Sequence, residues 1–487
     1  MKNFPQFISY LREKEQKREL IILSILLSIL GIVYYQLYPF PFLYPDSATY
    51  VFSAYKDMFT PYRPMGYSHY LQLVHALSGS ISALFVVTYI IHMVASLFFL
   101  YSFKYLIGLR NRYIFYVLCL FVFLSPTILF STNYLMSDCL FNSLTMLFLA
   151  TAIWLIYSRN FIFILIHLFT LYILYNLRYS GMFYVPVSMC AIFISYQKQN
   201  KLMQIGLMCL PLVLFFFMQD AARKNYKKNT SVNITSAFSG WQLMNNASVL
   251  IPETKHLPSS TFDTQKEKLL HDYFKQVPDS LFTTQSALTT DLMWNNDSPL
   301  KIFNAYYMHI NTINYGMAWV QVGDVYSDYA KKIIFKYPFS FLHKFVIPSF
   351  LSFFQFKEIV EEHIEFKNEE MYREYYGIQM DTFVHTPDYF TRFNPVRHIF
   401  NYIYWILFTL SVVCFISTTR KASWNDHSWR LAFLLLLFIL IYIGVSALAS
   451  PNTTWRYALP IYVPSLFFMV YVALPFLEKW KPRKQES

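Results

Sequence analysis

The sequence predicts an all-α polytopic membrane protein of about ten transmembrane helices, with interfacial helices in its first outer loop and one large, mostly helical outer insertion. Three observations carry that expectation. The composition is 55% hydrophobic, 20% aromatic and only 14% charged, with a mean hydropathy of +0.33, outside the range of soluble globular chains. Apolar runs of about 18 residues or more, long enough to cross a ~30 Å hydrocarbon layer as a helix, recur along the chain. The net charge of +12 sits in short basic segments between those runs. That placement orients a membrane protein and does not build a nucleic-acid groove, so nucleic acid is excluded as a partner.

Taken in order, the apolar runs place spans at 20–38, 82–103, 113–130, 138–157, 161–177, 181–196, 203–219, 398–418, 431–449 and 458–476. The first follows the polar stretch REKEQKREL and has no small-residue cleavage site, so it is expected to be retained as a span. Both termini then share one side with Lys104, Arg110, Arg112, Arg159, Lys198, Lys201, Arg420, Lys421, Arg430, Lys479 and Arg483. The positive-inside rule makes that side cytoplasmic. The opposite side receives a first loop at 39–79, short turns near Asn133, Arg178 and Asn452, and the insertion. The chain thus divides into an N-terminal membrane module (1–220), the insertion (221–397) and a C-terminal membrane module (398–487). Residues 221–396 carry 17 Lys plus Arg against 18 Asp plus Glu, so the net positive charge lies elsewhere and a long translocated region escapes the orientation rule.

Within the insertion, KNTSVNITSAFSG has turn chemistry, while 264–274 and 358–376 read as charged helices. The apolar stretch YPFSFLHKFVIPSFLSFFQF would invert the charge rule for the last loops if it crossed, so an interfacial or re-entrant helix is expected near 338–356. All five cysteines lie in or beside apolar runs and build no disulfide framework. Compact loops without disulfides point to a bacterial inner membrane, with the insertion in the periplasm.

The first loop, YPDSATYVFSAYKDMFTPYRPMGYSHYLQLVHALSG, is too polar to cross and too apolar to be solvated, which predicts two short helices along the interface. Asp46, after Pro45, opens the first, with Tyr50 and Asp57 following on one face. Arg63 stands before Pro64 at the start of the second, whose apolar stripe is Tyr67, Tyr70, Leu71, Val74 and Leu77. Each charged residue also has an ordinary reading: helix N-cap for Asp46, first-turn acid for Asp138, headgroup contact for Arg63.

Asp46 in PDSATY, Arg63 with Gly66 and Tyr67 in RPMGYSHYL, Asp138 in MSDCLFNSL, Arg178 in LRYSGMF and Arg456 in TTWRYALPIYVP follow one another with a common sidedness. In this the membrane part of the chain resembles the GT-C glycosyltransferases, in particular protein O-mannosyltransferases and lipid A aminoarabinose transferases. Where many relatives carry an acidic pair, this chain has Asp46 followed by Ser47. The resemblance implies a transfer of sugar from a polyprenyl-phosphate donor to an envelope glycan, lipid or protein on the periplasmic face, with no nucleotide and no required cofactor. Asp46 and Asp138 are then the catalytic candidates. Burial at a membrane edge is expected to raise the Asp46 carboxyl toward the range of a useful base. Arg63, Arg178 and Arg456 are candidates for binding the departing phosphate through bidentate forks. Tyr50, Tyr67 and His69 belong to the same loop, and Tyr50 or Trp241 could stack on sugar.

A second basic cluster, Lys331, Lys332, Lys336, His343 and Lys344, flanks the interfacial segment, and Lys336 and Lys344 are candidates for an anionic lipid headgroup. No metal site is expected, since no His or carboxylate pair has ligand spacing, although a divalent cation bridging Asp46 or Asp138 to phosphate is compatible with these residues. His92 and His167 read as packing residues. Two other functions fit the same architecture: a polysaccharide polymerase or ligase of the envelope, and a transporter.

Overall fold

The computed structural model describes residues 3–355, 369–377, 394–419, 426–449 and 455–477. Residues 358–368 of the expected charged helix, the turn at Asn452, and Arg420, Lys421, Lys479 and Arg483 lie outside the described residues. Among the described residues the regular structure is helical, with one isolated bridge between Phe42 and Tyr134.

The chain opens with α1 (Phe4–Arg12), a short amphipathic helix. Asn3 and Gln6 cap it reciprocally, and Phe7 packs on Trp154 at 5.2 Å and Tyr105 at 5.5 Å. α2 (Lys14–Leu37) follows, then α3 (Pro45–Lys56) and α4 (Gly66–Leu77) in the first loop, α5 (Ile81–Ile107), α6 (Arg112–Leu124) and α7 (Pro126–Ser131). The expected 113–130 span is therefore divided, because Pro126 has no N–H to continue the ladder and instead starts a new helix. α8 (Asp138–Ser158), α9 (Phe161–Leu177), α10 (Tyr184–Tyr196) and α11 (Lys201–Thr230) complete the N-terminal module.

Among the described residues, seven helices are long and apolar enough to cross a membrane: α2, α5, α8, the stretch Tyr179–Tyr196 ending in α10, α11, and two near the C-terminus, α22 (Asn394–Thr419) and α23 (His427–Ala449). The other three expected spans are the shorter apolar helices α6, α9 and α24 (Leu459–Leu477). Their packing is that of a lipid-embedded bundle. Ile21, Ile22, Ile25, Leu26 and Ile29 on α2 are 44–55% exposed, an apolar surface that water would not favour. α8 runs through the middle and is buried along almost its whole length. Its 21 residues rise ~31 Å, about one hydrocarbon thickness. Asp138 stands at one end and Arg159 caps the other.

α11 does not stop at the module boundary near 220 but continues to Thr230, so one continuous helix carries the chain into the insertion, where Tyr226 joins a second core. That core is built on α12 (Ala237–Ala247) and α18 (Tyr315–Lys336). The two cross so closely that a Cβ on Gly240 would lie 1.8 Å from the Gly323 carbonyl oxygen, so only glycine permits the contact. The crossing stacks Trp241 on Trp319, with ring centroids 3.9 Å apart.

Around them lie α13 (Ile251–Thr254), α14 (Gln265–Gln276), α15 (Thr284–Thr289), α16 (Asp291–Trp294) and α17 (Pro299–Asn311). α14 begins at a capping box of Thr264 and Glu267, the helix expected at 264–274. The apolar stretch near 338–356 is helical without a break from Pro338 to Phe353: α19 (Pro338–Phe341), one π turn at Leu342–Val346 and α20 (Ile347–Phe353). Phe341 and Phe345 join the insertion core while Phe353 joins the membrane core, so this segment ties the two together. α21 (Glu369–Tyr376) lays Tyr375 on His75 of α4 at 4.1 Å.

Candidate functional site

Asp46 reaches its position through backbone bonds that the first loop makes with the segment before α8. Asn133 donates its side-chain amide to the carbonyls of Tyr38 and Phe40, at 2.9 and 3.0 Å. Phe42 N–H donates to Asn133 O at 2.9 Å, and Leu135 N–H donates to Phe42 O at 3.0 Å. The Ser47 hydroxyl then donates to Leu135 O at 2.9 Å and accepts from Tyr44 N–H at 2.9 Å. Ser47 is fully buried, so a carboxylate in its place would be desolvated against a carbonyl. That accounts for a single acid here.

These bonds set the start of α3 beside the start of α8, and hence Asp46 beside Asp138. Both acids occupy the first turn of a helix, where the dipole favours negative charge. Asp57 is not on the helical face expected for it, because α3 ends at Lys56 and Asp57 adopts the left-handed cap at φ 49°. Leu77, expected in the apolar stripe of α4, is 73% exposed at the helix end.

Three arginines complete the cluster. Arg63 Nη2 donates to Asp46 Oδ1 at 2.9 Å, and Arg456 Nη1 donates to Asp46 Oδ2 at 3.0 Å. Arg456 Nη2 lies 3.0 Å from Asp138 Oδ2, with its Nε also donating to that carboxylate, and Arg178 pairs with Asp138 Oδ1. One guanidinium, Arg456, thus bridges both acids. Arg63 rests over the Tyr50 ring at 4.5 Å, and Tyr50 is held by Tyr67 at 4.7 Å and by a 3.1 Å hydrogen bond with Ser137. Gly66 is needed because a Cβ there would lie 2.3 Å from the Asn176 carbonyl oxygen. The motif after Arg63 therefore docks α4 onto the end of α9, immediately before Arg178.

The cluster is almost out of water, with side-chain exposures of 24% for Asp46, 1% for Asp138 and 11–17% for the arginines. Burial alone would raise the Asp46 carboxyl, as the sequence suggested. The charges and hydrogen bonds of Arg63 and Arg456 outweigh it and hold the carboxyl well below the usual carboxylate range. The expected upward shift is thus reversed in the resting site. Burial works against the Arg63 and Arg456 cations too, but their carboxylate partners more than restore them.

Asp46, Tyr50, Arg63, Arg178 and Arg456 line a cavity of ≈ 950 Å³ between the membrane module and the insertion. Asp138 lies behind them, touching the cavity only through its arginines. The facing wall, from the insertion, contains Ser239, Gln242, Asn246, Thr290, Trp294 and Tyr315.

The remaining sequence candidates stand apart from the cavity lining. Tyr67 is buried behind Tyr50, and His69 is exposed on α4. Lys336 is exposed on α18, and Lys344 pairs with Glu253 at 2.6 Å. Lys331 of the same basic cluster does line the cavity. Trp241, considered for sugar stacking, is fully buried. Trp294 and Tyr315, absent from the sequence candidates, line the cavity instead, each 43% exposed. Nothing in their local sequence separates them from other insertion aromatics. Among the described residues no group of three or more His, Cys, Asp or Glu side chains could hold a metal ion, and guanidinium groups already engage both carboxylates of the cluster.

No protein-family model, curated protein or solved structure matches this chain.

Proposed function

We propose that this protein is a membrane glycosyltransferase of GT-C type that moves a sugar from a polyprenyl-phosphate donor to an acceptor on the non-cytoplasmic side of a bacterial inner membrane. The observation that carries the reading is the charge cluster. Three arginines and two aspartates give it a net charge of +1, on the floor of a cavity at one end of the helix bundle. A phosphodiester brings the missing negative charge, and two guanidinium forks can bind its oxygens. The opposite end of α8 gathers Arg159, with Lys198 and Arg430 close by around His427, the basic end that the positive-inside rule assigns to the cytoplasm.

In this reading the acceptor hydroxyl oxygen attacks the anomeric carbon. The new C–O bond forms as the bond from that carbon to the phosphate oxygen breaks, and polyprenyl phosphate leaves with the electron pair. Arg63 and Arg456 take up the charge that grows on the departing phosphate, and Asp46 accepts the hydroxyl proton. The resting ion pairs supply a gate. Once phosphate draws Arg63 and Arg456 toward itself, Asp46 loses the charges that suppress its proton affinity, and it becomes a base only in the loaded site. Asp138 keeps Arg178 and Arg456 oriented. These charges sit at helix ends rather than mid-span on broken helices, the usual arrangement in transporters.

The test supplies the purified full chain in nanodiscs with an envelope extract as the source of acceptor, together with polyprenyl-phosphate monosaccharides and, separately, polyprenyl-diphosphate oligosaccharides. Release of polyprenyl phosphate from the first set is expected, and it should be lost in Asp46→Asn and Arg63→Ala while membrane insertion and abundance persist. Consumption of the diphosphate oligosaccharides alone would replace this reading with a polymerase or ligase.

A further inference from the structure

The cavity has two chemically different walls. The membrane-side wall is charged, whereas the insertion wall is neutral polar and aromatic around Ser239, Gln242 and Thr290, with Lys331 as its cation. Uncharged hydrogen-bonding groups beside an open indole are the surface that a sugar ring fits, with its C–H face on the ring and its hydroxyls on the polar groups.

The indole is held in place before any ligand arrives. Trp241, Trp319 and Trp294 form a stack, with centroids 3.9 Å apart for the first pair and 5.8 Å for the second. Trp241 and Trp319 are fully buried, and the third member, Trp294, lines the cavity. A ring fixed by stacking gives up little conformational freedom on binding. Tyr62, next to Arg63 in the chain, packs edge-on against Trp319 at 5.0 Å, which couples this wall to the charged cluster.

Behind the stack lies Lys301, only 9% exposed, with its ammonium 4.7 Å from the Trp319 ring, 5.3 Å from Tyr315 and 5.7 Å from both Trp241 and Trp294. It donates to the Tyr315 hydroxyl oxygen at 2.5 Å. Burial pulls its pKa down to about 8, so it remains a cation at neutral pH. An ammonium only donates, so the phenol oxygen of Tyr315 is the acceptor and its own proton is left to point elsewhere. Tyr315 lines the cavity, so a ligand that accepts that proton would meet a phenol polarised by the cation behind it.

We infer that the insertion wall, with Trp294 as stacking platform and Tyr315 as directed donor, is a binding site for a hexopyranose ring, assigned to the acceptor because the proposed donor phosphate lies on the opposite, arginine-lined wall, so that the acceptor is a sugar-bearing molecule. The word acceptor rests on the proposed transfer; the sugar site does not. Saturation-transfer NMR on the full chain in detergent micelles tests it without donor. The probes are the methyl β-glycosides of glucose, galactose, mannose and N-acetylglucosamine. At least one is expected to receive saturation at its ring protons, falling at least about fivefold in Trp294→Ala, the worth of one aromatic contact, and returning in Trp294→Phe. Tyr315→Phe, a one-atom change, should weaken the same signal. No saturation of any glycoside in the wild-type protein, or a signal indifferent to both Trp294→Ala and Tyr315→Phe, overturns the inference. Turnover of the donor without such binding sinks this inference alone, and binding without turnover sinks the transfer reading alone.

Discussion

Asp138→Asn puts the charge cluster under the most direct strain. Asp138 is the deepest member, with a side chain 1% exposed, and it holds Arg178 and both Nε and Nη2 of Arg456. Neutralising it raises the cluster from three positive and two negative charges to three and one, so a net +1 becomes +2 in a site nearly closed to water. Breaking a buried pair by removing one partner costs about 3–5 kcal/mol, because the remaining charge stays desolvated. Set against a typical folding stability of about 5–15 kcal/mol, that is a large fraction. The compensating double variant Asp138→Asn with Arg178→Gln returns the count to two positive and one negative, or +1, leaving Arg456 paired with Asp46. Since removing a whole buried pair is often close to neutral, the double variant should recover about 1.5–3 kcal/mol relative to the sum of the singles. Unfolding of the purified protein in mixed micelles titrated with sodium dodecyl sulfate measures all four corners of the cycle. A single variant within about 1 kcal/mol of wild type, or singles that simply add, would show that Asp138 and Arg178 are not energetically coupled and would remove the buried-pair argument.

The Asp46 carboxyl is depressed below its ordinary 3.8, so its ion pairs contribute stability that is fully present above that value and drains as pH falls through the lower, folded-state value. Melting temperature followed from pH 7 downward should therefore show an acid-labile component that is absent in Asp46→Asn; identical profiles would contradict the pairing. If donor phosphate draws the arginines away, the acid limb of kcat should lie at higher pH than that of kcat/KM, because the first reports the loaded site and the second the free one. Coincident limbs would argue that the pairs persist through the reaction. Gly66→Ala forces a Cβ to within 2.3 Å of the Asn176 carbonyl oxygen, so α4 must shift from α9 and carry Arg63 away from its register with Arg178. Transfer should fall by about 100-fold with the protein still inserted, since displacements near 1 Å have that effect in a positioned site. Activity within twofold of wild type would show that this contact does not set the register.

The long apolar helices were legible in the sequence because crossing a hydrocarbon layer demands length and apolarity of each helix separately. The charged motifs were legible for a related reason. Burying a charge is costly, so Asp46, Arg63, Asp138, Arg178 and Arg456 stand out against apolar flanks whatever their partners. The division of the 113–130 run was also there to be read, in Pro126, and the capped helix at the N-terminus in Asn3 and Gln6.

Partnership was not legible. Arg456 meets Asp46 across 410 positions and Asp138 across 318, and no local pattern encodes that distance. The resting state of Asp46 turned on it: from sequence, burial pushed the carboxyl upward, while the folded chain adds two guanidinium groups whose fields fall off with separation in space. Exposure was equally a tertiary matter. Trp241 and Trp294 are alike as residues, yet the contact of Gly240 with Gly323 buries the first within the crossing of α12 and α18, and the stack leaves the second at the cavity edge. The sequence by itself determined that this is a helical membrane protein and which charges it sets at the helix ends. Only the tertiary structure decided which of those charges neutralise one another and which aromatic rings remain free to meet a ligand, because both depend on distances between segments far apart in the chain.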